Sequence, residues 1–130
     1  EMLKDGNDLA ILTIGTMAYN AQKAIELVEN QKNIKIAHYD MRFVKPLDEN
    51  MLHEIGKKFK KIITIEDGVI NGGFGSAILE FMSDNNYLIH VKRHGIKDTF
   101  VEHGSPEELH TMLGLDAEGI ANEINKLINA

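Results

Sequence analysis

Leu9-Ala-Ile-Leu-Thr-Ile14, followed by Gly15, is the stretch of sequence that decides the fold. A short, nearly continuous apolar run that stops at a glycine is typical of a strand covered on both faces. From Thr16 the apolar residues take a helical spacing that lasts about four turns and ends near Asn30. A buried strand followed at once by an amphipathic helix predicts the first unit of an α/β domain.

The alternation of strand and helix continues along the chain. It predicts a mostly parallel sheet with helices on both faces. We expect a loop over residues 93–104, and a helix capped by Ser105 with Pro106 at its first position. Asp116 is the expected cap of the last helix. The further predicted strands are 34–40, 61–65 and 88–91, and the further predicted helices are 48–55, 76–82, 105–113 and 116–128.

The composition is that of one ordinary globular domain. The chain has 130 residues, of which 43% are hydrophobic and 26% charged, so we expect a single soluble domain over residues 1–130. A net charge of -6 lacks the basic balance that a phosphate backbone requires, which argues against a nucleic-acid partner. The absence of cysteine excludes disulfides and thiolate metal sites and favours a reducing compartment, the cytoplasm.

The N-terminus and the hydropathy pattern predict neither export nor membrane insertion. No apolar run approaches the roughly 20 residues of a membrane-spanning helix, and residues 1–6 lack a basic-then-apolar signal pattern. The chain opens on Glu1 rather than on methionine, and strand-like sequence follows almost at once. Together these features suggest a piece of a larger protein.

The Gly-rich turn Gly72-Gly-Phe-Gly-Ser76 is the first candidate site, because backbone N–H groups at a helix start can hold a phosphate. It does not fit the dinucleotide fingerprint, since Ile78 stands where the third glycine or alanine is needed. Two readings remain open. The glycines Gly72, Gly73 and Gly75 permit a sharp turn and close packing of the helix on the sheet, or they contact a polar ligand or another domain.

Glu66 and Asp67 are paired acids at the carboxyl end of a predicted strand, where open α/β sheets usually place ligands. Adjacent strand residues point to opposite faces, so both cannot act on one substrate atom unless the turn intervenes. We therefore interpret one as a cap of the following turn and the other as solvated. His103 is a candidate residue at a cleft edge, although a lone loop histidine is more often a surface or capping residue.

Arg42 and Lys45 flank an apolar pair in a segment stiffened by Pro46, which suits a projection toward a partner as well as ordinary solvated charge. The histidines show no metal-ligand spacing on a predicted helix, and there is no nucleophile elbow of the Gly-x-Ser-x-Gly form. The residues alone therefore give no complete catalytic constellation.

Several of these motifs, in this order, resemble one enzyme family. Asp8-Leu-Ala-Ile-Leu-Thr-Ile-Gly15, Asp40-Met-Arg-Phe-Val-Lys-Pro-Leu-Asp48, Ile65-Glu-Asp-Gly68, Gly72-Gly-Phe-Gly-Ser76 and Phe100-Val-Glu-His-Gly104 are similar to the C-terminal domain of the 1-deoxy-D-xylulose-5-phosphate synthase family. The likeness covers nearly the whole chain.

The resemblance implies a transketolase C-terminal-type fold. This is a three-layer α/β/α sandwich with a five-stranded, mostly parallel sheet and one antiparallel edge strand. Four strands are predicted from the residues, and we expect the fifth within residues 95–101.

The resemblance also implies a thiamine diphosphate-dependent transferase of transketolase type as the parent enzyme, with three domains. It would join pyruvate to glyceraldehyde 3-phosphate with release of carbon dioxide, for isoprenoid precursors and thiamine. In the family the two preceding domains bind thiamine diphosphate and Mg²⁺, and no catalytic, cofactor-binding or metal-binding residue carries over to this chain.

For this piece the resemblance implies a structural and assembly role, with the preceding domains as partners, a homodimeric parent in the cytoplasm, and no activity in isolation. The alternatives are the C-terminal domain of a transketolase or related thiamine diphosphate enzyme, and an independent small-ligand binding α/β module. The candidate interface or cleft-edge residues are Arg42, Lys45, Glu66, Asp67, Gly72, Gly73, Gly75 and His103.

Overall fold

The computed structural model describes residues 1–41, 47–69, 73–96 and 114–129 of the chain. Within these segments strands and helices alternate, as the sequence predicts. In chain order the elements are β1 (Met2–Lys4), β2 (Leu9–Thr13), α1 (Met17–Gln31), β3 (Ile36–Asp40), α2 (Glu49–Lys58), β4 (Lys61–Val69), α3 (Phe74–Asp84), β5 (His90–Ile96) and α4 (Ala117–Ile128).

The strands form one five-stranded sheet in the order β1-β3-β2-β4-β5. Strands β2, β3, β4 and β5 run parallel to one another, with Leu9 opposite Ile36 and Ala10 opposite Ile62. Among the described strands only β1 is antiparallel, and it pairs with β3 at one edge of the sheet. The expected five-stranded, mostly parallel sheet with one antiparallel edge strand is therefore confirmed.

The fifth strand was expected within residues 95–101, but residues 95 and 96 belong to β5 and residues 97–101 lie outside the described residues. The fifth strand of the described sheet is β1, at the N-terminal end of the chain. It has only three residues, and Met2 and Leu3 are about half exposed, so it carries no apolar alternation to reveal it. Tertiary contacts hold it instead, because Lys4 Nζ donates to Glu29 Oε2 at 2.6 Å and to the Ile36 carbonyl at 3.0 Å.

The boundaries of β5 also differ from the prediction. The strand begins at His90 and continues to Ile96, whereas the sequence indicated a strand over residues 88–91 and a loop from residue 93. The extension follows from β4, which runs to Val69 and pairs with β5 as far as Ile96. Leu88 is 99% exposed and lies outside the sheet. The predicted helix over residues 105–113 lies outside the described residues.

Two hydrophobic cores lie on opposite faces of the sheet, which makes the domain a three-layer sandwich. Helices α1 and α4 cover one face, and α2 and α3 cover the other. All five residues of β2 are buried, with Leu9 and Ile11 facing the first core and Ala10 and Leu12 the second. Burial of each large side chain stabilises the fold by about 1.5–3 kcal/mol. Both cores are built from residues of this chain.

The helix ends follow local capping chemistry. Asp116 caps α4 as predicted, since its Oδ1 accepts a hydrogen bond from the Gly119 N–H at 2.9 Å. Asp48 caps α2 in the same way through the Met51 N–H at 3.1 Å. No helix in the described segments is long and apolar enough to cross a membrane.

Candidate functional site

A crevice lies at the carboxyl ends of β2 and β4, the two neighbouring strands at the centre of the sheet. The helices that follow them, α1 and α3, pack on opposite faces, so the chain diverges here. Such a topological switch point is the usual ligand position in open α/β sheets. This switch-point crevice has a volume of about 280 Å³ and is lined by Ile14, Gly15, Thr16, Glu66 and Asp67.

Gly15 forms the turn on the β2 side of the crevice. Its φ of +72° lies in the left-handed region, where a side chain is strained. No atom lies within 4 Å of the position that a Cβ would take. Conformation, and not lack of space, therefore requires glycine where β2 turns into α1.

Glu66 forms the β4 side of the crevice and is only 6% exposed. Its Oε2 accepts a hydrogen bond from the Phe74 N–H at 2.8 Å, and its Oε1 accepts one from the Gly75 N–H at 3.0 Å. The first residues of a helix have free N–H groups and a positive dipole end, so a carboxylate is stabilised there. The interpretation that one of the two acids caps the following turn is confirmed for Glu66, while Asp67 is exposed.

The same two hydrogen bonds decide what the Gly-rich turn can bind. A phosphate at the start of α3 would need the N–H groups that already donate to Glu66. The carboxylate would also repel it. The start of α3 therefore binds an internal anion, and its geometry does not suit a phosphate or diphosphate.

Gly75 allows α3 to lie close to the sheet. A Cβ on this residue would lie 2.6 Å from Thr64 Oγ1 and 3.0 Å from Arg93 Cγ, closer than side chains pack in proteins. The close-packing reading of the Gly-rich turn thus holds for Gly75. Arg93 also bridges the two elements, since its Nη1 donates to Ser76 Oγ at 3.1 Å.

The structure brings together four of the candidate residues. Glu66 is the last buried residue of β4 and the exposed Asp67 follows it, while Gly73 precedes α3 as its N-cap residue and Gly75 lies in its first turn. The other four candidates, Arg42, Lys45, Gly72 and His103, lie outside the described residues.

Sequence reasoning missed a buried polar network on the α1 side of the sheet. Thr13 Oγ1 donates to Asp40 Oδ1 at 3.1 Å and lies 2.9 Å from Nε2 of His38. Burial lowers the pKa of His38, and the negative charge of Asp40 opposes this only in part. His38 and Asp40 are two residues apart in β3, so the alternation of a strand places them on one face. That spacing was the sequence signal from which the network could have been predicted.

A family model described as "Transketolase, C-terminal domain" matches residues 1–120. The chain is 56% identical over 124 residues to the 1-deoxy-D-xylulose-5-phosphate synthases of Parabacteroides distasonis and Bacteroides fragilis. These matches cover 95% of the chain and 20% and 19% of the relatives. The chain therefore spans about a fifth of the length of the curated relatives it matches.

Solved structures have the same fold. A split-gene transketolase chain, described as an inactive β4 tetramer, matches with a TM-score of 0.90 at 31% identity, over 99% of this chain and 42% of that chain. A transketolase of Pichia stipitis matches with a TM-score of 0.69 at 20% identity, over 99% of this chain and 18% of that chain. The second match shows a shared fold. With the family model spanning most of its residues, the chain belongs to the transketolase C-terminal domain family.

Proposed function

We propose that the chain is the C-terminal domain of a thiamine diphosphate-dependent 1-deoxy-D-xylulose-5-phosphate synthase, in which it has a structural and assembly role. The observation that carries this proposal is the 56% identity, over 124 residues, to proteins of that name. The split-gene transketolase is less similar, at 31% identity, which favours the synthase as the parent. The parent would join pyruvate to glyceraldehyde 3-phosphate and release carbon dioxide.

The described residues do not fit thiamine diphosphate and Mg²⁺. The N–H groups of Phe74 and Gly75, which could hold a diphosphate, donate to Glu66. Within residues 1–41, 47–69, 73–96 and 114–129, no group of three or more His, Asp or Glu residues could hold a metal ion. We therefore assign the cofactor to the preceding domains of the parent and derive no catalytic step in this chain.

A noncatalytic role agrees with what is known of one structural relative. That chain, from a split-gene transketolase, is described as inactive and as a β4 tetramer. This chain covers 42% of it, so the two share the present domain. From the family resemblance, we propose that the present domain contributes to a homodimer of the parent, in the cytoplasm, without activity of its own.

The surface proposed to meet the preceding domains is the carboxyl edge of the sheet, where Glu66, Asp67, Gly73 and Gly75 lie. A preceding domain would be joined through Glu1, and Glu1 lies at this edge. Its carbonyl accepts a hydrogen bond from the N–H of Asp40, the last residue of β3, at 2.8 Å. A domain joined there would therefore be tethered beside the switch-point crevice.

A complementation assay tests the proposal. The parent protein, a truncated parent without this chain, and the separate chain are assayed with pyruvate, glyceraldehyde 3-phosphate, thiamine diphosphate and Mg²⁺. We expect no product from the chain alone, impaired turnover by the truncated parent, and recovery when the two pieces are mixed. Product formed by the chain alone would overturn the noncatalytic role, and an active, stable truncated parent would overturn the assembly role.

The docking edge is tested in the same assay by charge reversal. Asp67→Lys replaces a negative charge by a positive one at the proposed edge and should reduce the recovery of activity given by the separate chain. Glu80→Lys, on the exposed part of α3, is the matched control and should leave recovery unchanged. Equal recovery with both variants would show that the contact surface lies elsewhere.

A further inference from the structure

A second cavity lies beside α1, at the edge of the sheet where β1 pairs with β3. Its volume is about 310 Å³, at the lower end of the range for small-molecule sites. It is separate from the switch-point crevice and shares no lining residue with it. The residues that line this edge cavity are Leu3, Lys4, Gln22, Ile25, Glu26 and His38.

His38 supplies a buried polar group to the edge cavity. It is 2% exposed, and its Nε2 lies 2.9 Å from Thr13 Oγ1. Because the Thr13 hydroxyl donates its proton to Asp40, the Nε2 must carry the proton of the imidazole and donate to Thr13. The other ring nitrogen, Nδ1, is then an acceptor with no hydrogen-bond partner among the described residues.

The walls and mouth of the edge cavity set the rest of its chemistry. Ile25 and Leu3 are apolar, and the Lys4 ammonium is held by Glu29, Ile36 and Asp5, so Lys4 contributes chiefly its methylene chain. Glu26 is exposed on α1 and brings a negative charge to the mouth. The edge cavity thus combines a histidine acceptor, apolar walls and an anionic rim.

We propose that the edge cavity is a binding site for a small aromatic amine that has a ring N–H donor and a positive charge. The ring N–H would donate to His38 Nδ1, the aromatic body would contact Ile25 and Leu3, and the ammonium group would lie near Glu26. The site is not lined by Glu66, Asp67, Gly73 or Gly75, which mark the proposed docking edge. Its failure would therefore leave the proposed function untouched.

Tryptamine is a suitable probe, because its indole N–H can only donate and its amine is protonated at neutral pH. The experiment is a titration of the ¹⁵N-labelled chain followed by NMR, which reports both affinity and location. We expect a dissociation constant on the order of 1 mM, as befits a ligand of this size. The affected amides should be those around Leu3, Ile25 and His38.

Two matched probes separate the interactions. The compound 1-methyltryptamine lacks the ring donor and should bind about three- to tenfold more weakly if the hydrogen bond to Nδ1 forms. The compound 3-(indol-3-yl)propanoate keeps the ring but reverses the charge, and it should bind more weakly near Glu26. Equal affinity for all three probes would reduce the site to a nonspecific apolar contact and overturn the proposal.

Surface variants test the same points without disturbing the buried network. Gln22→Trp should fill the mouth of the edge cavity and abolish tryptamine binding, whereas Lys23→Trp adds the same ring outside the lining residues and should not. Glu26→Gln should weaken tryptamine binding about two- to fivefold. The control Glu54→Gln, on exposed α2 across the sheet, should leave it unchanged.

The pH dependence gives an independent check. When His38 is protonated, Nδ1 gains a hydrogen and can no longer accept one, so tryptamine affinity should fall as the pH drops through the pKa of His38. Among the charged groups near the site, Lys4, Glu26 and Asp40, only Glu26 contacts the proposed ammonium, and Glu26→Gln should keep the same pH profile. Shifts confined to other surfaces, or binding unaffected by Gln22→Trp, would overturn the proposal.

Discussion

Replacing Glu66 by glutamine should destabilise the start of α3. The carboxylate accepts hydrogen bonds from the N–H groups of Phe74 and Gly75 at 2.8 and 3.0 Å while 6% exposed. The amide keeps one acceptor, turns an NH₂ group toward the second N–H, and loses the favourable interaction with the helix dipole. The lower desolvation cost of a neutral group offsets part of this loss. We expect the free energy of unfolding to fall by about 2 kcal/mol.

The assay is thermal unfolding followed by circular dichroism, together with hydrogen exchange. With the usual unfolding entropy per residue, 2 kcal/mol corresponds to a lowering of Tm by about 7 °C for a chain of 130 residues. The amides of Phe74 and Gly75 should also lose protection against exchange. Glu80→Gln, an exposed change on the same helix, should shift stability by less than about 0.5 kcal/mol. A Glu66→Gln chain as stable as the parent, with both amides still protected, would refute the capping role.

Two further predictions concern packing and pH. Gly75→Ala should cost about 1–3 kcal/mol, because the added Cβ meets Thr64 Oγ1 at 2.6 Å. Denaturant unfolding measures it, and Thr64→Ala in the same chain should recover part of the loss. Burial would raise the pKa of Glu29, but hydrogen bonds from Lys4 and the Ile36 N–H outweigh it and hold the pKa below its ordinary 4.5. This stabilisation is therefore present above pH 4.5 and lost as the pH falls through the lowered pKa, so Glu29→Gln should cost stability at pH 7 and progressively less in acid. An equal cost at both pH values would contradict the ion-pair explanation.

Local sequence patterns were sufficient to predict most of the described strands and helices. The apolar run from Leu9 marks a strand that is buried along its whole length, and Asp116 caps the last helix through its own side chain. The misplaced elements depend on distant partners. Strand β1 is held by pairing with β3, and β5 continues to Ile96 because β4 is long enough to pair with it. Neither partner can be read from the local sequence.

The candidate site was predictable in position and only partly in chemistry. The rule that strand ends carry functional groups singled out Glu66 and Asp67, and both line the switch-point crevice. The Glu66 carboxylate accepts hydrogen bonds from the N–H groups of Phe74 and Gly75. These bonds depend on how α3 packs back over the sheet, and the spacing of residues in the sequence does not determine that packing. The partners of His38 lie on a neighbouring strand and remained hidden for the same reason.

The shape of β1 also bears on how the protein avoids polymerisation. An open sheet edge can recruit a strand from another molecule and seed aggregates. Here the outermost strand offers only three residues, and its register shifts between Met2 and Lys4. The backbone donors and acceptors of β1 are too few and too irregularly placed for a strand of another molecule to extend the sheet in that direction. The short length and irregular register of β1 therefore protect this edge of the sheet against fibril growth.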